Sequence, residues 1–258
     1  MKHLFALLRK EALETVRDPK HLVLFGIFAF FGMLSPLTAK LLPDLMRMMS
    51  DQPSMAGIVF NLPEPEALTA YEQLLKNLSQ MGMLAVLLIF MGAVSQEKAD
   101  GSAALVLTKG VSRGMYLLAK WAAALLNVTI GFLFASGLFL GYTQWLFGGA
   151  LLPNTPYALF LVWAGLMFYT GLSLLASTLC RTTGMSALAA FGLMALLLVA
   201  GTVPAIAAMS PVSLMDLPLR ILKDLEAPAK ALTPLIVSLC AVPLFWCIGL
   251  LRFSQEEL

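Results

Sequence analysis

No Asp, Glu, Lys or Arg occurs between Lys120 and Arg181, and none between Arg181 and Asp216. A bilayer-crossing helix needs about 20 mostly apolar residues, so the first gap accommodates two spans and the turn between them. Composition agrees: the chain is 59% hydrophobic and 12% charged, against roughly 25% charged in soluble domains. A water-facing surface cannot be built from such a sequence. The expected fold class is an all-α membrane protein.

Six spans are expected: Leu22–Leu42, Leu78–Ser95, Tyr116–Phe147, Tyr157–Cys180, Gly184–Met209 and Ala231–Leu251. Small residues in the third (Gly131, Ser136, Gly137, Gly141) and fourth (Gly165, Gly171, Ser173) allow close helix approach in lipid. Lys and Arg favour the cytoplasmic side. With both termini inside, inner segments hold 11 of the 17 basic residues and outer segments 6. The chain reads as one transmembrane domain over residues 1–258. It has a charged amphipathic start (1–20), outer loops at 43–77 and 210–230, and a large inner loop at 96–120. A short helix is expected at Glu66–Lys76 in the first outer loop, whose prolines are Pro43, Pro53, Pro63 and Pro65. The second outer loop either lies in the outer interface or re-enters it.

The span interiors hold no Asp, Glu, Lys, Arg or His apart from Lys40 near the end of the first, Lys120 being counted with the inner loop. Both histidines, His3 and His21, fall in the N-terminal segment. Intramembrane ionisable groups are what proton- or sodium-coupled transport runs on, so the energy for any transport must come from elsewhere. No H-E-x-x-H or G-x-S-x-G motif is present, and no lysine precedes Ser or Thr, which excludes a P-loop. The chain is therefore not expected to be an enzyme. No metal site is expected either: Cys180, Cys240 and Cys247 lie in or beside apolar segments and read as packing. A net charge of +2 offers nothing to nucleic acid.

Residues 1–20 have helical periodicity. Leu4, Phe5, Leu8, Ala12 and Val16 share one face, Arg9, Lys10, Glu14 and Arg17 share the other, and Pro19 ends the helix or bends it into the first span. Glu11 is the exception, because it projects from the apolar side between Leu7 and Leu4. Either it snorkels to the interface or it pairs with a basic residue of the inner loop or of a partner. In the inner loop, charges cluster at Glu97, Lys98 and Asp100, Gly101 permits a sharp turn, and a short helix follows before Gly110. Ser112 is placed to cap the next helix.

The run Glu97-Lys98-x-x-Gly101-Ser102, then Leu105 and Leu107, Lys109-Gly-Val-Ser-Arg113 and finally Lys120 resembles the loop between spans two and three of type-2 ABC exporter permeases. That family often shows E-K-x-x-G-[ST], then K-P-V-S-R. Here Gly110 stands where proline is common. The start with Lys10-Glu11 and Arg17-Asp18-Pro19 is similar to the family's N-terminal elbow helix, and residues 71–78 are similar to small bacterial members. The resemblance implies a multi-pass protein of the bacterial cytoplasmic (inner) membrane with cytoplasmic termini. Two permease subunits, alike or different, would pair on separate ATPase subunits, which bind the ATP and Mg; this chain would hold no cofactor. Glu97, Lys98, Asp100, Gly101, Lys109, Arg113 and Lys120 would couple to the ATPase, with Glu11 and Arg17 beside them. Met83, Met91, Phe168, Phe191 and Met194 are candidate cavity residues, because adaptable thioethers and aromatics suit amphipathic ligands. The expected cargo is a hydrophobic or amphipathic peptide, an antimicrobial or a drug-like compound. The alternative is a non-transporting scaffold or sensor that recruits a cytosolic partner through the same loop.

Overall fold

The computed structural model describes residues 2–50, 66–148 and 152–256, which form helices and short connections without a strand. Pro53, Pro63 and Pro65 of the expected outer loop lie outside the described residues, as do the side chains of Leu4, Phe5, Ala12 and Arg47. The helices are α1 (Lys2–Arg17), α2 (Pro19–Ser50), α3 (Ala67–Asn77), α4 (Met83–Phe90), α5 (Ser95–Ala99), α6 (Ser102–Leu107), α7 (Arg113–Phe147), α8 (Thr155–Leu179), α9 (Thr183–Ala200), α10 (Pro204–Ala207), α11 (Leu217–Leu222) and α12 (Leu232–Ser254). Six segments among them are long and apolar enough to cross a membrane: Pro19–Asp44, Ala67–Ala99, Arg113–Phe147, Thr155–Leu179, Thr183–Ala200 and Pro228–Ser254.

The spans sit where the apolar runs place them, with four changes at their ends. The first helix begins at Pro19 and continues through Pro43 to Ser50, so part of the expected outer loop is helical. The short helix expected at Glu66–Lys76 is α3, Ala67–Asn77, which runs on into the second of these apolar segments. Tyr71, Leu74 and Leu75 of α3 are fully buried. A π turn, Leu78–Gly82, joins α3 to α4. The fifth span stops at Ala200 instead of Met209, where Gly201 and Pro204 break the helix. The second outer loop folds back as a 3₁₀ turn (Pro211–Met215) and α11, burying Leu214, Ile221 and Leu222 against the bundle.

α8 is the axis, and α4, α7, α9, α11 and α12 all pack on it. Its most apolar window is 89% buried, against 11% for α9 and 22% for α12. An apolar helix this exposed faces lipid or another subunit, since neither penalises bare hydrocarbon. α2 lies along α7. The two approach through Gly32, where an added Cβ would stand 2.7 Å from the Ala135 carbonyl oxygen. Of the small residues singled out by sequence, Gly131 receives the Phe28 ring and Gly171 receives Phe245 and Val242, whereas a Cβ added at Gly137 or Gly141 would meet nothing within 4 Å among the described residues.

Candidate functional site

Charged side chains from segments far apart in sequence meet where both termini and α5–α6 gather, hereafter the terminal end. α1 packs on α7, and the stripe it buries is Leu7 and Glu11. Val16, of the apolar face, is exposed together with Leu13. The choice left open for Glu11 resolves toward pairing. Its carboxylate lies 3.2 Å from Lys120 Nζ and 3.0 Å from Lys10 Nζ. Glu97 stands 3.0 Å from each of the same two ammonium groups. Lys120 is only 6% exposed and Glu97 15%, so the Lys120 pairs are shielded from solvent, whereas Lys10 is exposed.

Glu14 completes the cluster at 2.9 Å from Lys10. Burial opposes the charge on Lys10, but Glu14, Glu11 and Glu97 outweigh it and hold the ammonium above its ordinary range. Tyr116 donates its hydroxyl hydrogen to the second oxygen of Glu97. Carboxylates of Glu11, Glu14 and Glu97 lie within 4.8 Å of one another, a spacing that suits a cation. Two lysine ammonium groups already supply that countercharge.

A second knot ties the same hairpin to the end of the chain. Lys98, 4% exposed, pairs with Glu256, donates to the Thr178 carbonyl, and sits 5.2 Å from the centre of the Phe253 ring. That ring stacks on Tyr116 at 5.6 Å. Arg113 donates to the Phe253 and Ser254 carbonyls at 2.9 and 2.7 Å, closing the last turn of α12, where cations are favoured.

The hairpin starts at a break in the second span. Residues 91–94 leave the helix, and the amides of Val94 and Ser95 donate to the buried Ser177 hydroxyl oxygen at 2.9 and 3.0 Å. Backbone freed inside a bundle needs such a partner. α5 and α6 are hinged by Gly101 at φ 72°, and Gly110 at φ 79° reverses the chain before α7. Proline, locked near −65°, cannot adopt that angle. Ser112 caps α7, accepting from the Met115 amide at 3.3 Å.

The sequence-selected residues thus divide. Glu11, Glu97, Lys98, Arg113 and Lys120 are joined to one another or to the C-terminal helix, while Asp100, Lys109, Arg17 and Leu105 are exposed. Lys10, Tyr116, Ser177 and Glu256 belong to the same assembly although sequence reasoning did not select them. Lys10 beside the anomalous Glu11 was the available signal; Ser177 offered none. His21 requires a correction. It lies in the first turn of the first spanning helix rather than in the N-terminal segment, with Nδ1 2.5 Å from the Asn127 amide nitrogen and the ring 5.8 Å from Phe90. The candidate cavity residues are also dispersed. Phe168 packs between Tyr169 and Phe245, Met91 sits in the helix break, and Phe191 and Met194 lie at the edge of the core on α9. Met83 alone of the five lines a cleft of about 300 Å³ at the opposite end of the bundle.

Six apolar helices, an amphipathic first helix bound by ion pairs, and a short hairpin braced by three elements define a multi-pass helical membrane protein with a cross-linked polar end. Residues 5–258 match the family model described as ABC-2 family transporter protein, and the chain belongs to that family. It is 29% identical over 198 residues to the uncharacterized transmembrane protein YxlG of Bacillus subtilis (strain 168), covering 76% of this chain and 75% of YxlG. Membership makes the chain a transmembrane subunit of an ABC transporter, the component that works with an ABC ATPase and lacks the ATPase domain.

Proposed function

We propose that this chain is the permease of an ATP-driven exporter in the bacterial cytoplasmic membrane, with both termini in the cytoplasm. It pairs with a second permease subunit, alike or different, and each subunit rests on its own ATPase. ATP and Mg act on that partner; this chain supplies the path and the lever. The cargo is a hydrophobic or amphipathic peptide, or an antimicrobial or drug-like compound.

The observation that carries this reading is the Glu11–Lys120–Glu97–Lys10 network, buried at Lys120 and Glu11 and exposed at Lys10. It ties α1, the end of the second span and α7 into one body, so a push on the hairpin is delivered to three helices together. Two classes of coupling residue follow. Glu11, Glu97, Lys98, Arg113 and Lys120 are positioning residues that stiffen the lever. Asp100, Lys109 and Leu105, the last 68% exposed, are the surface offered to the ATPase, with Gly101 as the hinge and Arg17 beside it. The exposed apolar side of α9 supports pairing with a second subunit.

The test compares Leu105→Asp and Lys109→Glu with wild type. Both variants are expected to insert and melt normally, while the ATPase no longer co-purifies and its activity no longer responds to the permease. Unchanged co-purification and coupling in both would refute the assignment of the hairpin.

A further inference from the structure

At the end of the bundle opposite the ion network, a cleft of about 300 Å³ opens between the second span, α8, α9 and the folded-back segment at 211–219. Its apolar wall includes Met83, Leu198, Met215 and Leu219. Methionines adapt to irregular shapes, and the Met215 tip is held over Gly165 of α8, where a Cβ would come within 2.4 Å of it. Ser79 and Gln80 enter the wall from the π turn, a distortion frequent at functional sites.

Two polar residues of the lining, Tyr169 and Asp216, have side chains that make no hydrogen bond among the described residues. Tyr169 is fully buried, and its hydroxyl has no hydrogen-bond partner among the described residues. A buried polar group left unpaired is costly to keep. Asp216, at the start of α11 without capping it, is exposed at the rim of the cleft, and its carboxylate makes no hydrogen bond or ion pair among the described residues. Lys76, also in the lining, lies at a loose 4.0 Å from Glu72, which is held more closely by Lys223 at 2.7 Å. Lys76 and Asp216 carry opposite charges, so the lining has no net charge. It offers a donor in Tyr169, an acceptor in Asp216 and an apolar wall.

We propose that this cleft binds a neutral amide flanked by apolar side chains, as in a short stretch of hydrophobic peptide. The amide carbonyl accepts from the Tyr169 hydroxyl, the amide N–H donates to Asp216, and one or two aliphatic side chains lie against Met83, Leu198 and Met215. The cleft volume falls at the small end of ligand sites, about 300–1,000 Å³, which limits it to a fragment of a longer chain. The assignment deepens the proposed function by giving its cargo class a site, and rests on that reading for its biological meaning.

The experiment measures binding of radiolabelled N-acetyl-leucyl-leucine amide to the full chain in phosphatidylcholine nanodiscs, without an ATPase. Saturable binding is expected, weakened roughly three- to tenfold in Tyr169→Phe and in Asp216→Asn, the equivalent of one lost hydrogen bond. It is expected to be lost in Leu198→Trp, which fills the cleft. Tyr169→Phe removes a hydroxyl with no internal partner, so its thermal midpoint without peptide should not fall. Equal binding by wild type and Tyr169→Phe would overturn the proposal, as would the absence of saturable binding. Binding that is competed by added phospholipid and indifferent to Asp216→Asn would assign the cleft to lipid and overturn it too. The assay contains no ATPase, so its failure leaves the permease reading standing. Loss of ATPase coupling in Lys109→Glu, conversely, leaves the cleft standing.

Discussion

Replacing Lys120 by Met removes the ammonium that lies 3.2 Å from Glu11 and 3.0 Å from Glu97 while keeping the length of the side chain. Each contact has a gross attraction of about 5 kcal/mol at an effective dielectric constant of about 20, largely offset by the cost of desolvating the charges. Breaking a buried pair from one side costs about 3–5 kcal/mol, because the remaining charge stays buried and uncompensated. Here Lys10 remains at 3.0 Å from both carboxylates and takes up part of the loss. The expected destabilisation is therefore smaller, about 2–3 kcal/mol. The Glu11, Glu14 and Glu97 carboxylates then face only Lys10. Glu11→Gln in the same chain relieves that imbalance, so the double variant should recover about half of the loss, a coupling within the usual range of about 0.5–3 kcal/mol for residues in contact. Thermal unfolding of the four proteins in one detergent, at one scan rate, reads the cycle. A single variant within about 0.5 kcal/mol of wild type, the level of a neutral surface change, would refute the buried-network argument, as would strictly additive effects.

Gly32→Ala should cost about 1–3 kcal/mol, the range for overpacking, because its Cβ meets the backbone of α7 rather than a movable side chain. Gly137→Ala, facing open space, should be neutral or slightly stabilising; thermal midpoints of the two variants check the contrast. Ser177→Ala leaves the Val94 and Ser95 amides without their acceptor, for an expected loss of about 1–3 kcal/mol. Hydrogen exchange should rise first at those two amides. Gly110→Pro should disorder the turn because φ 79° is closed to proline. The expected result is normal insertion with lost ATPase coupling, whereas a fully coupled variant would show that the turn can take another form.

The reach of sequence reasoning is seen most clearly at the hairpin. Its charges, its glycine hinge and the oddity of Glu11 were all legible, because each is a local departure from pattern: a polar run between apolar runs, a Gly at a turn, a carboxylate on an apolar face. The partners were not legible. Lys98 meets Glu256 across 158 positions of sequence and Lys120 meets Glu11 across 109. Nothing local distinguishes these residues from charges that merely mark a membrane boundary. The first turn of α2 shows the opposite failure. Charge density drew residues up to Lys20 together with His21 into the N-terminal segment, but the helix restarts at Pro19 and carries His21 to Asn127.

Taken alone, the sequence determined the number of spans and the all-helical character, because crossing lipid is a property of length and hydrophobicity within one segment. Tertiary structure decided which charges are buried together, where the second span breaks against Ser177, and that Tyr169 lines a cleft with no hydrogen-bond partner among the described residues. Those outcomes depend on how each helix is rotated about its axis toward its neighbours. That rotation is set by packing between segments remote in the chain, which hydropathy along a single segment does not encode.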